Sequence, residues 1–424
     1  MFNLICILLK SEMREDMVYK SKSIAILLII ICAFNLYACG RKEESLKNKQ
    51  INLYIGVKDK ESLNIIKFLT DEYKKENPKV QLNINNAIGS KIEEDINESK
   101  DIDVVFTSRN DMLKLVRKSL LADMRDLYEE NNLSGRYYTV AKSYGRFNDR
   151  YYGISMIPYT IEIIFNKEAL NKLNLKVPST ISEVEGILKV LNSSSQRVPV
   201  VLNEGMDINN IIFSIILNNM IPMRKLENIY DSSASEYKQL NQVQKSFDIL
   251  ENLVKGGYVN KDTFEIGNES TIEKINRNNI PMLITSSYYA NKFDNSNIEC
   301  LKSYDLEGKN RLKVPVMSDA IISIPMNSEN RDITDEFVKY IFSDDVQKKL
   351  SKKGFVTANK NANTSKEGIK KTVIGHLQNS TEDNISFIYN IPENFTNNIS
   401  SKIDSMLSGK YTDNEWNEVV DESY

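Results

Sequence analysis

Histidine is almost missing from this chain: His376 is the single one in 424 residues. A zinc site with several imidazole ligands, or a Ser-His-Asp triad, has little to build on. No Gly-x-x-x-x-Gly-Lys phosphate loop occurs either. Cysteine is scarce, and beyond the N-terminal stretch only Cys39 and Cys300 remain, so a disulfide framework is excluded if Cys39 is otherwise engaged. "NIECLK" around Cys300 reads as a structural thiol. Tryptophan occurs once, as Trp416, which shares a short helical face with Val419 and Val420 and reads as core. The charge is nearly balanced, 55 Lys and Arg against 58 Asp and Glu. That balance lacks the basic footprint of a nucleic-acid binder. The longest greasy run, Ile24 to Leu36, falls short of the about 20 residues that cross a bilayer.

What is present begins with that run. Lys20 and Lys22 flank it on one side and small residues close it on the other, the grammar of a secretory signal. Leu36, Tyr37, Ala38 and Cys39 resemble the lipobox of bacterial lipoproteins, which implies a lipidated Cys39 and cleavage just before it. The alternative is an uncleaved anchor. Met17 offers a second possible start. Residues 1–38 are therefore expected to be a signal peptide, and 39–50, polar and rich in charge, a flexible tether. The remainder is too long for one ordinary domain and suits two.

After Gln50 the apolar period alternates between two and about 3.6. Ile51, Leu53, Ile55 and Val57 mark a strand. Ile66, Leu69 and Tyr73 mark a helix that Pro78 must stop. Val80, Leu82 and Ile84 alternate again, and "DIDVVF" (101–106) is a buried-type strand before a helix expected to be capped by Asn110 or Asp111. "VPVVL" (198–202), "PMLIT" (281–285) and "AIISIP" (320–325) are further strands, each with a helical pattern nearby. Thr180 with Glu183, and Thr412 with Glu415, have capping-box spacing. The expected class is α/β, in layers with largely parallel sheets.

The ordered set of segments resembles a family. "GVKDKESLNIIKFLTDEYKKENPKVQLNI", "DIDVVFTSRNDMLKLVRKSLLADMRDLYEEN", "YYGISMIPYTIEIIFNKEALNKLNLKVPSTISEV", "PMLITSSYYANKF", the stretch from Asp319 to Ala362 and "SMLSGKYTDNEWNEVVDE" are similar to successive parts of the extracellular solute-binding proteins of ABC importers, the maltose-binding-protein-like family. Ile181 stands where that family often has Trp, and Ser286 and Ser287 replace its Gly. The resemblance implies a two-lobed periplasmic-binding-protein-like fold of the second type, with mixed β-sheets flanked by helices and an interlobe hinge. It places the N-lobe at 51–156 and 313–342 and the C-lobe at 157–312 and 343–424. It further implies a monomer on the outer face of the cell membrane that passes a small solute, most often a sugar or oligosaccharide, to ABC permease subunits, with no cofactor, metal or catalytic residue.

Ligands of open α/β sheets bind beyond the carboxyl ends of the strands. That rule selects Asp59, Ser108, Arg109, Tyr159, Glu204, Ser287, Tyr288 and Asp319 as candidate ligand contacts. Carboxylates and Arg make directional, charge-assisted bonds, and Tyr stacks and donates. Each has a plainer reading: Asp59 in a turn, Asp207 as a helix cap, Arg109 paired with Asp111 on the surface, Tyr288 in a core. Two other functions stay open. A degenerate binding protein used for sensing or docking would suit the missing Gly and Trp. A lipid-anchored glycosidase would use carboxylate pairs such as Asp101 and Asp103, or Asp344 and Asp345.

Overall fold

The computed structural model describes residues 49–86, 91–98, 101–218, 220–304, 314–318 and 320–424; the expected signal segment 1–38, Cys39 and Asp319 lie outside them. The strands, in chain order, are β1 (Lys49–Ile55), β2 (Val80–Asn86), β3 (Val104–Thr107), β4 (Arg146–Phe147), β5 (Arg150–Tyr151), β6 (Ile154–Ser155), β7 (Pro158–Asn166), β8 (Val198–Val201), β9 (Phe264–Ile266), β10 (Met282–Ser286), β11 (Ile298–Cys300), β12 (Val316–Ser318) and β13 (Ile321–Ser323). One sheet has the order β2-β1-β3-β13-β6, and another β11-β7-β10-β8-β9 with β12 also on β7. β1 and β3 run parallel, whereas β13 is antiparallel to both β3 and β6. In the second sheet β8 is parallel to β9 and β10, and β7 is antiparallel to its partners. Both sheets are therefore mixed.

The chain passes between the sheets twice, side by side. β6 ends at Ser155 in the first sheet and β7 starts at Pro158 in the second; β12 ends at Ser318 in the second and β13 starts at Ile321 in the first. The Ser155 and Ser318 hydroxyls lie 2.7 Å apart, fully buried, and the Met156 amide donates to the Ala320 carbonyl at 3.1 Å. Gly153 precedes this crossing because a Cβ there would strike Ile321 Cγ2 at 2.4 Å.

Helices cover the sheets as the spacing predicts. The helix Lys60–Glu76 buries Ile65, Ile66, Leu69 and Tyr73, and it ends two residues before Pro78. Trp416 is buried, its indole N–H donating to the Tyr237 carbonyl at 2.7 Å. Some local expectations fail. The helix Arg109–Arg117 is capped by Ser108, whose hydroxyl accepts from the Asp111 amide, so it starts earlier than Asn110 or Asp111 would allow. Glu183 accepts from the Ser179 amide, and Thr180 makes no side-chain cap. Glu415 does accept from the Thr412 amide, but the residue at the helix N-cap is Asn414.

Two segments make long-range pairings. Val316–Ser318 forms a ladder with β7 of the second sheet. The helix Asp344–Lys352 joins the helix Lys60–Glu76 through Lys349, which bonds Glu72 at 2.9 Å and Glu76 at 2.6 Å. Ladder hydrogen bonds and ion pairs between distant segments decide these placements, and no local pattern carries them.

β7 is buried along its whole length, including Glu162. The Glu162 carboxylate accepts from Thr160 Oγ1 and sits 2.9 Å from His376 Nδ1. Tyr304, whose hydroxyl donates to the Ile161 carbonyl at 2.9 Å, closes the other side. Burial is the largest influence on His376 and opposes its protonation, but the Glu162 charge and hydrogen bond outweigh it and raise the pKa above the ordinary 6.5. Cys300, buried beside this group, has its thiol pushed well up by burial and then by Glu162, which keeps it neutral. Because the folded chain holds the His376 proton more tightly than the unfolded chain, this pair stabilises fully below pH about 6.5 and progressively less as pH rises through the folded value. Urea unfolding is expected to show stability falling from slightly acid to alkaline pH, with that slope lost in His376→Gln. A pH-independent midpoint for the wild-type chain in this window would refute the pairing.

A candidate solute-binding cleft

The carboxyl ends of β1 and β3 open toward the carboxyl end of β8. Between them lies a cleft of about 750 Å³, lined from one side by Gly56 to Asp59 and by Thr107, Ser108 and Asp111, and from the other by Glu204 to Asp207 and Asn210. Residues 388–397, at the start of the helix Glu393–Leu407, complete it. Gly205 is at φ +81°, a left-handed turn that a side chain would strain, and this turn carries Glu204 into the cleft wall.

Three of the sequence-selected residues meet here. Asp59 is the N-cap of the helix Lys60–Glu76, accepting from the Ser62 amide at 2.7 Å. Burial raises its carboxyl pKa, and bonds from Ser62 only partly offset that. Ser108 caps its helix and donates its hydroxyl to Asp111 Oδ2 at 2.8 Å. Glu204 faces them from the second sheet and accepts the Lys60 amide at 3.0 Å. Asp207 does cap its helix, taking the Asn210 amide at 2.9 Å, and it also lines the cleft.

The others stand elsewhere. Arg109 is fully buried and does not line the cleft. Its Nε donates to Asn390 Oδ1 at 3.0 Å, its Nη1 to the Ser143 and Tyr144 carbonyls, and its Nη2 lies 3.4 Å from Glu227. The surface pair with Asp111 is likewise not formed; Asp111 meets Ser108 and Lys114. Burial lowers the guanidinium pKa and raises that of Glu227, so each ion depends on the other. Tyr159, Ser287 and Tyr288 form a separate group beside the sheet crossing. The Ser287 hydroxyl accepts the Thr160 amide at 3.0 Å, and the rings of Tyr159 and Tyr288 meet edge to face at 5.7 Å. Asp319 lies outside the described residues.

Sequence reasoning passed over Glu61. It is 1 % exposed, and it ties the two walls together. Its Oε2 accepts the Glu204 amide at 3.0 Å and its Oε1 the Tyr289 hydroxyl at 2.9 Å. Nothing in a surface-looking "KDKES" hints that this one carboxylate is buried; its partners come from 143 and 228 residues away. Thr107, Asn210 and Glu393 were also passed over. The first two adjoin residues picked by the strand-end rule, so extending that rule by a residue or a helical turn finds them. Among the described residues, no three His, Cys, Asp or Glu side chains converge to hold a metal ion, and no helix is long and apolar enough to cross a membrane.

Removing one member of a buried ion pair strands the other, at a cost of about 3–5 kcal/mol. Arg109→Ala is therefore expected to lower the unfolding free energy by that order in chemical denaturation. A fully stable variant would show that Arg109 does not act as an internal brace.

A family profile described as bacterial extracellular solute-binding protein matches residues 69–374. Comparison with curated protein sequences finds no match. Solved structures share the fold at low identity. A family 1 extracellular solute-binding protein from Bifidobacterium longum subsp. infantis is 14% identical, with TM-score 0.65 over 89% of this chain and 98% of that one. An extracellular solute-binding protein from Staphylococcus aureus in complex with maltose is 15% identical, with TM-score 0.61 over 89% and 96%. An ABC transporter solute-binding protein from Thermotoga lettingae bound with α-D-tagatose is 13% identical, with TM-score 0.62 over 88% and 97%.

Proposed function

Since this chain belongs to the bacterial extracellular solute-binding proteins, with their two-lobed fold, we propose that it captures a small solute outside the cell and delivers it to the membrane subunits of an ABC importer. The single observation that carries the reading is the position of the cleft. It lies at the carboxyl ends of strands from two sheets that the chain joins by two adjacent crossings. Bending where the chain crosses between the sheets closes the walls on the solute and excludes water. Asp59, Ser108 and Glu204 contact the solute; Tyr159, Ser287 and Tyr288 support the wall near the crossing. The lobes of this reading divide at the crossings themselves, with β7 to β12 in one lobe and the first sheet in the other.

The solute is a sugar or short oligosaccharide, the class that the Staphylococcus and Thermotoga structures hold. The family's members are binding proteins, and in this reading no bond is made or broken. Lipidation of Cys39 holds the protein at the outer face of the membrane, as a monomer on a short tether. Lipid chains contribute about 0.8 kcal/mol per buried methylene.

Two experiments test this. A ligand that binds only the folded chain raises the melting temperature, by the equivalent of about 2.7 kcal/mol at a hundredfold excess over Kd. A thermal-shift panel of sugars, polyamines, phosphates and peptides is expected to yield at least one stabilising solute; a panel without any response defeats solute capture. Separately, Cys39→Ala is expected to release the protein into the soluble fraction of expressing cells. Retention of that variant on membranes is the outcome that removes the lipid anchor.

A further inference from the structure

Two pieces of the first lobe meet two turns of the second. On the first side stand the start of the helix Lys60–Glu76 and the residues Lys353 to Phe355, which follow the helix Asp344–Lys352 that Lys349 ties to it. On the second side stand the turn after β8 and the 3-10 turn Ser287–Lys292 after β10.

The bonds between them are reciprocal. The Lys60 amide donates to Glu204 Oε2 at 3.0 Å, and the Glu204 amide donates back to Glu61 Oε2 at 3.0 Å. The Tyr289 hydroxyl donates to Glu61 Oε1 at 2.9 Å. Both oxygens of the buried Glu61 carboxylate are thus met by donors from the other lobe. Lys60 Nζ stands 3.7 Å away on an exposed side chain, where screening by water leaves it little effect. The approach beside this group is close. The rings of Tyr288 and Phe355 meet at 5.4 Å, and Gly354, at φ +107°, lies where a Cβ would strike Asn291 Nδ2 at 2.6 Å.

A buried carboxylate without donors is costly, so the burial of Glu61 requires the second lobe's donors to be in place. When the lobes part, both donors leave together and water must replace them. Of these residues only Glu204 lines the cleft. The contact is therefore made between the lobes themselves.

We propose that Glu61 is a positioning residue for solute capture: through Glu204 and Tyr289 it latches the lobes in the closed arrangement and sets the Glu204 turn in the cleft wall, without touching the solute. The inference rests on the two-lobed capture reading and assigns control of closure within it. A solute binds less tightly by the fraction of chains not in the binding-competent state, so the latch contributes to affinity from outside the cleft.

Distances between spin labels test this without a solute. Ile84 on β2 and Ile266 on β9 are 42 % and 87 % exposed and belong to the first and second sheets. Ile84→Cys and Ile266→Cys carry nitroxides in the full chain, kept in detergent, with Cys6, Cys32 and Cys39 replaced by Ser; Cys300 is buried and stays unlabelled. With Glu61 intact, a single distance population is expected. Glu61→Ala is expected to add a longer one, with the open-to-closed ratio raised about tenfold or more, the size of a lost bond to a charged acceptor. Glu61→Gln, which keeps one acceptor oxygen, and Tyr289→Phe, which removes only the hydroxyl, are expected to give smaller shifts in the same direction. These two carry the readout if Glu61→Ala does not fold. An unchanged distribution in the folded variants, or a long population already present with Glu61 intact, overturns the latch and leaves solute capture standing. A thermal panel without any response defeats solute capture and leaves the distances to decide the latch.

Discussion

Two strands that change sheets side by side set the geometry of everything else in this protein. Ser155 and Ser318 face each other at the crossing with their hydroxyls 2.7 Å apart and no exposure to water. The chain passes from one sheet to the other at that point, and the carboxyl ends of β1 and β3 open toward that of β8. The approach is close enough that position 153 admits no side chain. A small polar pair suits such a place. It fills little volume, satisfies itself, and does not need to be pulled out of a packed apolar core when the backbone bends.

Away from the crossing, buried charges brace the walls. Glu61 spans from the first helix to the turn after β8 and to Tyr289, and Arg109 spans from the second strand-end helix to Glu227 and several carbonyls. Buried charges of this kind contribute little net stability compared with apolar residues, yet they penalise every arrangement in which their partners are absent. They favour one relative placement of the walls. The Glu162–His376 pair does the same inside the second sheet, fastening the helix Gly368–Asn379 to β7. Among the cleft carboxylates, Asp59, Glu204 and Asp207 differ in kind: backbone amides hold them in position.

Much of this was legible from sequence because much of it is local. Apolar periods identified the strands near Ile51, Val104, Val198 and Met282, the helix that stops before Pro78, and the burial of Trp416, since those follow from which face of a short segment is greasy. The rule that ligands sit past strand ends selects Asp59, Ser108 and Glu204, and these three share one cleft. It erred in grouping Arg109 with them, because a residue one position into a helix points about 100° away from its neighbour, here into the core.

Sequence by itself determined the alternation of strand and helix, the family, and the residues at strand ends. Tertiary structure alone decided that β12 returns to β7, that the helix Asp344–Lys352 packs on the first helix, that Glu61 is buried, and that residues 388–397 close the cleft. The physical reason is range. Propensity and period act over a few residues, whereas a carboxylate's burial or a strand's partner depends on atoms brought from more than a hundred positions away, whose identity no local window contains.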